Sequence, residues 1–190
     1  SNSGAKYITE LFSKKHIEIR FVGGCIRDAL IGFSKYDIDF AINCEPDTTI
    51  KILLKNNIKV NDYSKSYGVV IATINNQKFE ITSLREDYNQ KGRGTNVKFT
   101  DDWTKDALRR DFTFNAMYLS LSGELYDYFN GESDLKNGII KFIGDADIRI
   151  KEDYLRILRF HRFLGFFKNI YIHSNYEEVL NENIPFIKNN

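Results

Sequence analysis

The sequence predicts an α+β fold, with mixed strands and helices to about residue 143 followed by an all-α region. Three observations carry this reading. Short apolar runs bounded by Gly and Asn turns interleave with segments of helical period, and from Lys151 onward the pattern is helical only. Fifteen Phe and eleven Tyr among 190 residues supply large core side chains. A chain of this length forms one domain, or one plus a short second, and buries about 70% of its unfolded surface without a metal or disulfide staple. Gly and Pro are too sparse for a collagenous or disordered chain.

The elements follow in order. Ser1-Asn2-Ser3-Gly4 reads as a frayed or non-native terminus. Ala5 to Lys15 carries Ile8, Leu11 and Phe12 at helical spacing. Ile19 to Val22 is a strand that stops at Gly23-Gly24, and Cys25 to Leu30 is a helix that Gly32 caps. Asp37 to Ile42 alternates, with Asp37, Asp39 and Ala41 on one face and Ile38, Phe40 and Ile42 on the other. Pro46 to Asn56 is a helix with Pro46 near its first position. Val69 to Ile74 and Lys78 to Thr82 form strands around an Asn75-Asn76 turn. The polar stretch Leu84 to Trp103 reads as a long mobile loop, and a loop of that length is usually functional. Thr104 to Arg109 suits one or two helical turns. Phe112 to Leu121, Glu124 to Phe129 and Ile139 to Ile143 are strand candidates, with a Gly138-terminated turn of helix before the last. Lys151 to about Phe167 is helical, and residues 168–190 read either as a cut-off helix or as a disordered tail.

Charge is nearly balanced, Lys+Arg 27 against Asp+Glu 26, so the net value names no partner. Two cysteines, Cys25 and Cys44, make no disulfide framework, and a reducing cytoplasm is the simplest compartment. No apolar run approaches the ~20 residues that cross a bilayer, so a helical membrane span is excluded.

Two local arrangements point to chemistry. Phe21-Val22-Gly23-Gly24-Cys25-Ile26-Arg27-Asp28 runs from a strand through two glycines into a helix. Glycines let a ligand approach the backbone, amides at a helix start favour phosphate, and Arg27 can add a charged contact. Neither G-x-G-x-x-G nor G-x-x-x-x-G-K-[ST] is present, and alone the two glycines read equally as a tight turn. Asp37-Ile38-Asp39 puts two carboxylates on one strand face, where they can hold hard cations. Alone, that pair reads as two solvated side chains. Two Mg²⁺ ions about 4 Å apart are the general device of nucleotidyl transfer, and Glu80 on another strand is a candidate third carboxylate.

Together these arrangements occur in the order used by nucleotidyltransferases with a polymerase-β-type palm. Gly23 to Asp28 with Asp37-Ile38-Asp39 resembles the first motif of the class II tRNA nucleotidyltransferase/poly(A) polymerase family. Arg109-Arg110-Asp111-Phe112-Thr113-Phe114-Asn115-Ala116 is similar to its second motif, R-R-D-F-T-x-N-A. Glu152-Asp153-Tyr154-Leu155-Arg156, followed by Arg159 and Arg162, resembles its nucleobase-reading motif. The three span about residues 5 to 167.

The resemblance implies a palm at residues 5–143 and the start of a helical neck at 144–190, with the family's body and tail domains absent. It implies that Asp37 and Asp39 bind Mg²⁺, with Glu80 nearby in a catalytic role. Gly23, Gly24 and Arg27 would seat the triphosphate, and Arg109, Arg110, Asp111 and Asn115 would meet the nucleotide, with Asp111 on the ribose 2′-OH. Asp153 and Arg156 would read the Watson–Crick edge of cytosine or adenine, and Arg159 and Arg162 would face the triphosphate. On one helix, Glu152, Asp153, Arg156 and Arg159 line adjacent parts of a face, with Ile157, Leu158 and Leu164 opposite. From Arg149 to Arg162 five basic residues stand against two acids.

The implied activity is addition of CMP and AMP from CTP and ATP to the 3′ end of tRNA, completing a CCA terminus. A bacterial poly(A) polymerase shares all three motifs and is the near alternative. A non-catalytic nucleotide- or RNA-binding module on the same palm is the alternative of another class. One departure concerns specificity: family members often carry an Arg-His-Pro-like stretch where this chain reads Arg93-Gly94-Thr95.

Overall fold

The computed structural model describes residues 2–33, 37–91, 94–167 and 176–189. In chain order the elements are α1 (Ser3–Ser13), β1 (Ile19–Val22), α2 (Gly24–Leu30), β2 (Asp39–Ile42), α3 (Pro46–Lys55), β3 (Lys59–Asn61), β4 (Val69–Ile74) and β5 (Gln77–Ser83). They continue with β6 (Arg85–Lys91), β7 (Gly94–Phe99), α4 (Trp103–Leu108), β8 (Met117–Leu119), β9 (Leu125–Asp127), α5 (Gly131–Lys136), α6 (Ala146–Glu152), α7 (Leu155–Leu164) and α8 (Tyr176–Asn183). Among the described residues, seven strands form one sheet in the order β3-β4-β5-β2-β1-β8-β9, and β6 pairs with β7 in a separate hairpin. Every pairing is antiparallel except β2 with β5.

Alternation along the strands divides the core. Phe40 and Ile42 of β2 and Phe79 and Ile81 of β5 pack under α1 and α3, with Ile8, Phe12 and Leu53. Ala41 faces the other way, beside Trp103, Ala107 and Tyr118 on the side that α4 covers. β2 is therefore buried on both faces, whereas its alternation predicts one open face; its place at the centre of the sheet is the reason. A third cluster joins Cys25, Ile26, Phe112 and Phe142 to Ile150, Ile157, Phe160, Phe163 and Leu180. This core runs without a break across residue 143.

Several expectations are corrected. Asn2 caps α1, its Oδ1 accepting from the Ala5 amide at 3.0 Å, so the terminus expected to fray opens the first helix instead. β2 begins at Asp39, so Asp37 precedes the strand. The stretch expected as a loop is the β6–β7 hairpin; β6 is almost wholly polar, and the alternation in β7 is confined to Val97 and Phe99. Arg93 lies outside the described residues. Phe112 to Leu121 is mostly not strand: a 3₁₀ turn occupies Thr113–Asn115, and only Met117–Leu119 pairs in the sheet. Ile139 to Ile143 contributes one isolated bridge, Phe112 to Phe142.

The helix expected from Lys151 breaks at Asp153, which adopts φ −151 and ψ 102. Its Oδ1 accepts from the Leu155 amide at 3.0 Å, a local bond that competes with helical continuation and starts α7 afresh. Leu158, expected on the apolar side, is 51% exposed, because α7 buries Arg156, Ile157, Phe160 and Phe163.

One glycine sets a close approach. A Cβ on Gly131 would sit 2.3 Å from the Thr113 carbonyl oxygen, where α5 meets the 3₁₀ turn of the arginine-aspartate motif. Backbone must move to admit it, so Gly131→Ala is expected to lower stability by about 1–3 kcal/mol. Gly165→Ala, at φ −78 with no contact under 3.4 Å, is expected to stay within about 0.5 kcal/mol. Urea unfolding of the two variants checks the contrast.

Candidate active site

The site is a cleft of about 560 Å³ on the α4 side of the sheet. Its acidic wall follows from strand register. Asp39 opens β2 and is the Cα partner of Glu80 on the parallel neighbour β5, so the two carboxylates stand on adjacent strands and on the same face. Burial pushes the Asp39 carboxyl up to about 6, with the charges of Glu80 and Asp37 adding to the effect and Arg110 opposing it. Asp37 is exposed and contributes from just outside the strand. Among the described residues, no three Asp, Glu, His or Cys side chains converge as a ready-made cation cage.

The turn between β1 and α2 borders this wall. Gly23 has φ +72, and a Cβ there would lie 3.5 Å from the Asn115 carbonyl oxygen and 3.6 Å from Arg110 Nη1. The positive φ, rather than a lack of room, is what calls for glycine in this turn. Arg27, one turn into α2, donates from Nη1 to Asn115 Oδ1 at 2.7 Å and pairs with Asp28 at 2.7 Å. Its guanidinium also lies 5.0 Å from the Phe163 ring and 5.2 Å from the Phe166 ring, which ties α2 to α7.

The cationic wall is organised by Asp106, which the sequence reading did not single out. This carboxylate is fully buried. Arg109 Nε donates to Oδ1 at 2.9 Å, Arg110 Nη2 donates to Oδ2 at 2.9 Å, and the Tyr118 hydroxyl donates to Oδ2 at 2.7 Å. The Arg85 amide at the root of the hairpin adds a bond to Oδ1 at 3.2 Å. Burial pushes the Asp106 carboxyl up, but Arg110, Arg109 and the Tyr118 hydroxyl outweigh it and hold it far below the ordinary aspartate value. Burial and Asp106 push the Tyr118 phenol up, against Arg110, so it remains a neutral donor.

A second chain of bonds crosses the cleft. Asn115 Nδ2 donates to Asp111 Oδ1 at 3.0 Å, the Phe112 amide donates to the same oxygen at 2.8 Å, and Arg159 Nη1 donates to Asp111 Oδ2 at 3.2 Å. Arg27, Asn115, Asp111 and Arg159 are thereby linked across motifs that are separate in sequence.

The far wall comes from α6 and α7. Asp153, Arg156 and Arg159 line the cleft, whereas Arg162 is exposed and lies outside the lining. Arg156 is buried, donating from Nη1 to the Arg149 carbonyl at 2.6 Å and to Glu152 Oε2 at 2.8 Å. Of the expected site residues, Asp39, Glu80, Gly23, Gly24, Arg27, Arg109, Arg110, Asp111, Asn115, Asp153, Arg156 and Arg159 share this cleft, and Asp37 stands beside it. Arg85, Asp87 and Glu152 also line it. The spacing of Asp106 to Arg109 and Arg110, three and four residues on a helix, is the signal that could have found it.

Because the folded value of Asp106 lies below its ordinary 3.8, its stabilisation is complete above about pH 4. It is lost as pH falls through the folded value. Asp106→Asn leaves two arginines partly buried without their counter-charge, so it is expected to cost about 3–5 kcal/mol at pH 7. It should also flatten the loss of stability below pH 4. Urea titrations of both proteins between pH 2 and 7 measure the two effects.

Comparison with known proteins bears on these walls. The family model described as Poly A polymerase head domain matches residues 19–141, more than half of the chain. The mitochondrial CCA tRNA nucleotidyltransferase 1 of Homo sapiens is 47% identical over 163 residues, which cover 85% of this chain and 38% of that protein. The crystal structure of Bacillus stearothermophilus CCA-adding enzyme in complex with CTP matches with a TM-score of 0.86 at 27% identity, covering 98% of this chain and 44% of that one. A tRNA nucleotidyltransferase complexed with a primer tRNA and an incoming ATP analog matches with a TM-score of 0.75 at 27% identity, over 94% of this chain and 50% of that one. The chain spans about two fifths of the length of the curated relative. The mixed sheet with its helices is the polymerase-β-type nucleotidyltransferase fold, and the chain belongs to the poly(A) polymerase head-domain family.

Proposed function

We propose that this chain is the catalytic part of an RNA nucleotidyltransferase that adds CMP and AMP, from CTP and ATP, to the 3′ end of tRNA with release of pyrophosphate. The observation that carries this reading is the two-walled cleft, with carboxylates on β2 and β5 facing arginines from four other segments. A cation and a polyphosphate together satisfy both walls. The printed descriptions of the relatives, which name CCA addition, CTP, an ATP analog and primer tRNA, support the choice of substrates. Residues 5–143 are then a head and 144–190 the start of a neck, although one apolar core joins them.

The acidic wall fits Mg²⁺. Its donors are hard carboxylate oxygens, and Asp39 is raised first by burial and then by the charges of Glu80 and Asp37, which a bound cation would offset. Asp37 and Asp39 are the ligands, with Glu80 beside them in a catalytic role. Bound there, Mg²⁺ neutralises triphosphate charge and makes the RNA hydroxyl a better nucleophile. Arg109 and Arg110 hold the triphosphate with their guanidiniums aimed by Asp106, while Gly23 and Gly24 let it approach the backbone. Arg27 and Arg159 flank it, while Arg162 is exposed and outside the lining. Asp111 accepts three bonds in the described structure and retains a lone pair for a ribose 2′-OH. Asp153 uses Oδ1 on the Leu155 amide, which leaves Oδ2 to accept from an exocyclic amine of cytosine or adenine.

No helix among the described residues is long and apolar enough to cross a membrane. The thiols of Cys25 and Cys44 are free, which suits a reducing compartment, and the mitochondrial relative makes the cytoplasm one choice among such compartments.

The description of the family model favours poly(A) addition as the second reading. Incubating a tRNA that lacks its end with CTP alone, then with ATP alone, separates the two. The proposal expects CTP to be incorporated first, and use of ATP alone to build long A tails would overturn it. Asp39→Ala is expected to lower incorporation by at least a thousandfold with the thermal transition retained. Unchanged turnover in that variant would rule out the metal site, and binding without turnover in the wild type would favour a non-catalytic module.

A further inference from the structure

The base-selecting assignment of Arg156 raises the question of which edge of its guanidinium can reach a base. A guanidinium has five N–H donors. Both on Nη1 are committed, to the Arg149 carbonyl at 2.6 Å and to Glu152 Oε2 at 2.8 Å. Nη2 gives one to the Arg109 carbonyl at 3.3 Å. What remains is Nε–H and one Nη2–H, on the two nitrogens that share one side of the group. That pair matches adjacent acceptors such as O2 and N3 of cytosine, and it meets a proton at N3 of uracil.

One residue arranges all of these partners. Arg149 Nη2 donates to the carbonyls of both Arg109 and Arg110, at 2.7 Å each, and its Nη1 donates to Glu152 Oε2. Its own carbonyl accepts from Arg156. Arg149 therefore fixes the backbone turn that carries the triphosphate arginines, holds the carboxylate bound to Nη1 of Arg156, and provides the carbonyl that takes the other Nη1 hydrogen. Its side chain is almost covered, so these bonds are made away from bulk water. A lysine has one ammonium and cannot span two carbonyls and a carboxylate in a fixed plane.

We propose that Arg149 is a positioning residue for nucleobase selection, orienting Arg156 so that only its Nε/Nη2 edge faces the incoming base. The inference rests on the proposed reading of Arg156 as a base-selecting residue. A purely structural role would weaken every nucleotide alike, whereas a positioning role changes the ratio between nucleotides.

The test compares CTP and UTP affinity, with Mg²⁺, for the wild type, Arg149→Met, Arg149→Lys, Arg156→Met and the Arg149→Met/Arg156→Met double variant. Thermal unfolding of each checks the fold. The CTP-over-UTP preference is expected to fall at least tenfold in Arg149→Met, and the double variant should lose no more than Arg156→Met alone. A preference within twofold of the wild type in folded Arg149→Met would overturn the proposal, as would an equal further loss without Arg156. If Arg149→Met does not fold, Arg149→Lys is held to the same criterion. Wild-type protein that binds CTP and UTP equally would remove the base-reading premise itself, a result distinct from failure at Arg149.

Discussion

The cationic side of the cleft depends on one buried carboxylate. Arg109 and Arg110 are neighbours in sequence, and two guanidiniums side by side repel unless an anion stands between them. Asp106 supplies that anion with no exposure to water, one oxygen for each arginine. The same group accepts from Tyr118 of β8 and from the amide that begins the hairpin, so three elements converge on it. One net positive charge is left over, and it faces the cleft. The helix that carries Asp106 is itself anchored at Trp103, whose ring lies 3.9 Å from the Arg20 guanidinium, while Tyr126 closes the other contact at 3.5 Å. Glu18 accepts from the Trp103 ring nitrogen at 3.1 Å and completes the clasp between β1 and α4.

The opposite wall is built by topology rather than by pairing. Asp39 and Glu80 are neighbours because β2 and β5 run parallel, and that pairing requires the long crossover through α3, β3 and β4. Two carboxylates placed side by side without a counter-charge between them are unfavourable, and the Glu80 charge adds to the burial that raises Asp39. Arg110 is the cation that offsets this charge at Asp39, and Asp106 already shares that arginine. The two walls therefore compete for positive charge. A ligand that brings both a cation and phosphate oxygens relieves each wall without taking charge from the other.

Legibility in the sequence followed physical origin. The strand before Gly23, the Asn75-Asn76 turn and the Pro46 helix were readable, since each depends on a local conformational preference. The hairpin at Arg85–Phe99 was not, because β6 is almost wholly polar and the alternation in β7 rests on Val97 and Phe99 alone. The break at Asp153 was hidden for another reason: its cause is a side-chain bond to the Leu155 amide, and the flanking residues keep helical spacing. The motif residues were found from their order along the chain. Their partners Asp106, Arg149 and Tyr118 were not, since a buried partner gains its meaning only when the chain has folded around it.

The break at Asp153 also changes how the third motif works. On a continuous helix, Asp153 and Arg156 would move as one rigid unit. Instead Asp153 sits in the two-residue link between α6 and α7, and Arg156 is pinned through α6 to the backbone of Arg109. Its own helix, α7, is stacked on Arg27 of α2 through Phe163. The Arg156 guanidinium is thus held by three bonds, whereas the Asp153 carboxylate makes one, to the Leu155 amide. In the proposed reading, the donor group is the more firmly fixed of the two. Under the proposed function, one recognition group held fast and another held less tightly suit a site that takes two different bases in turn.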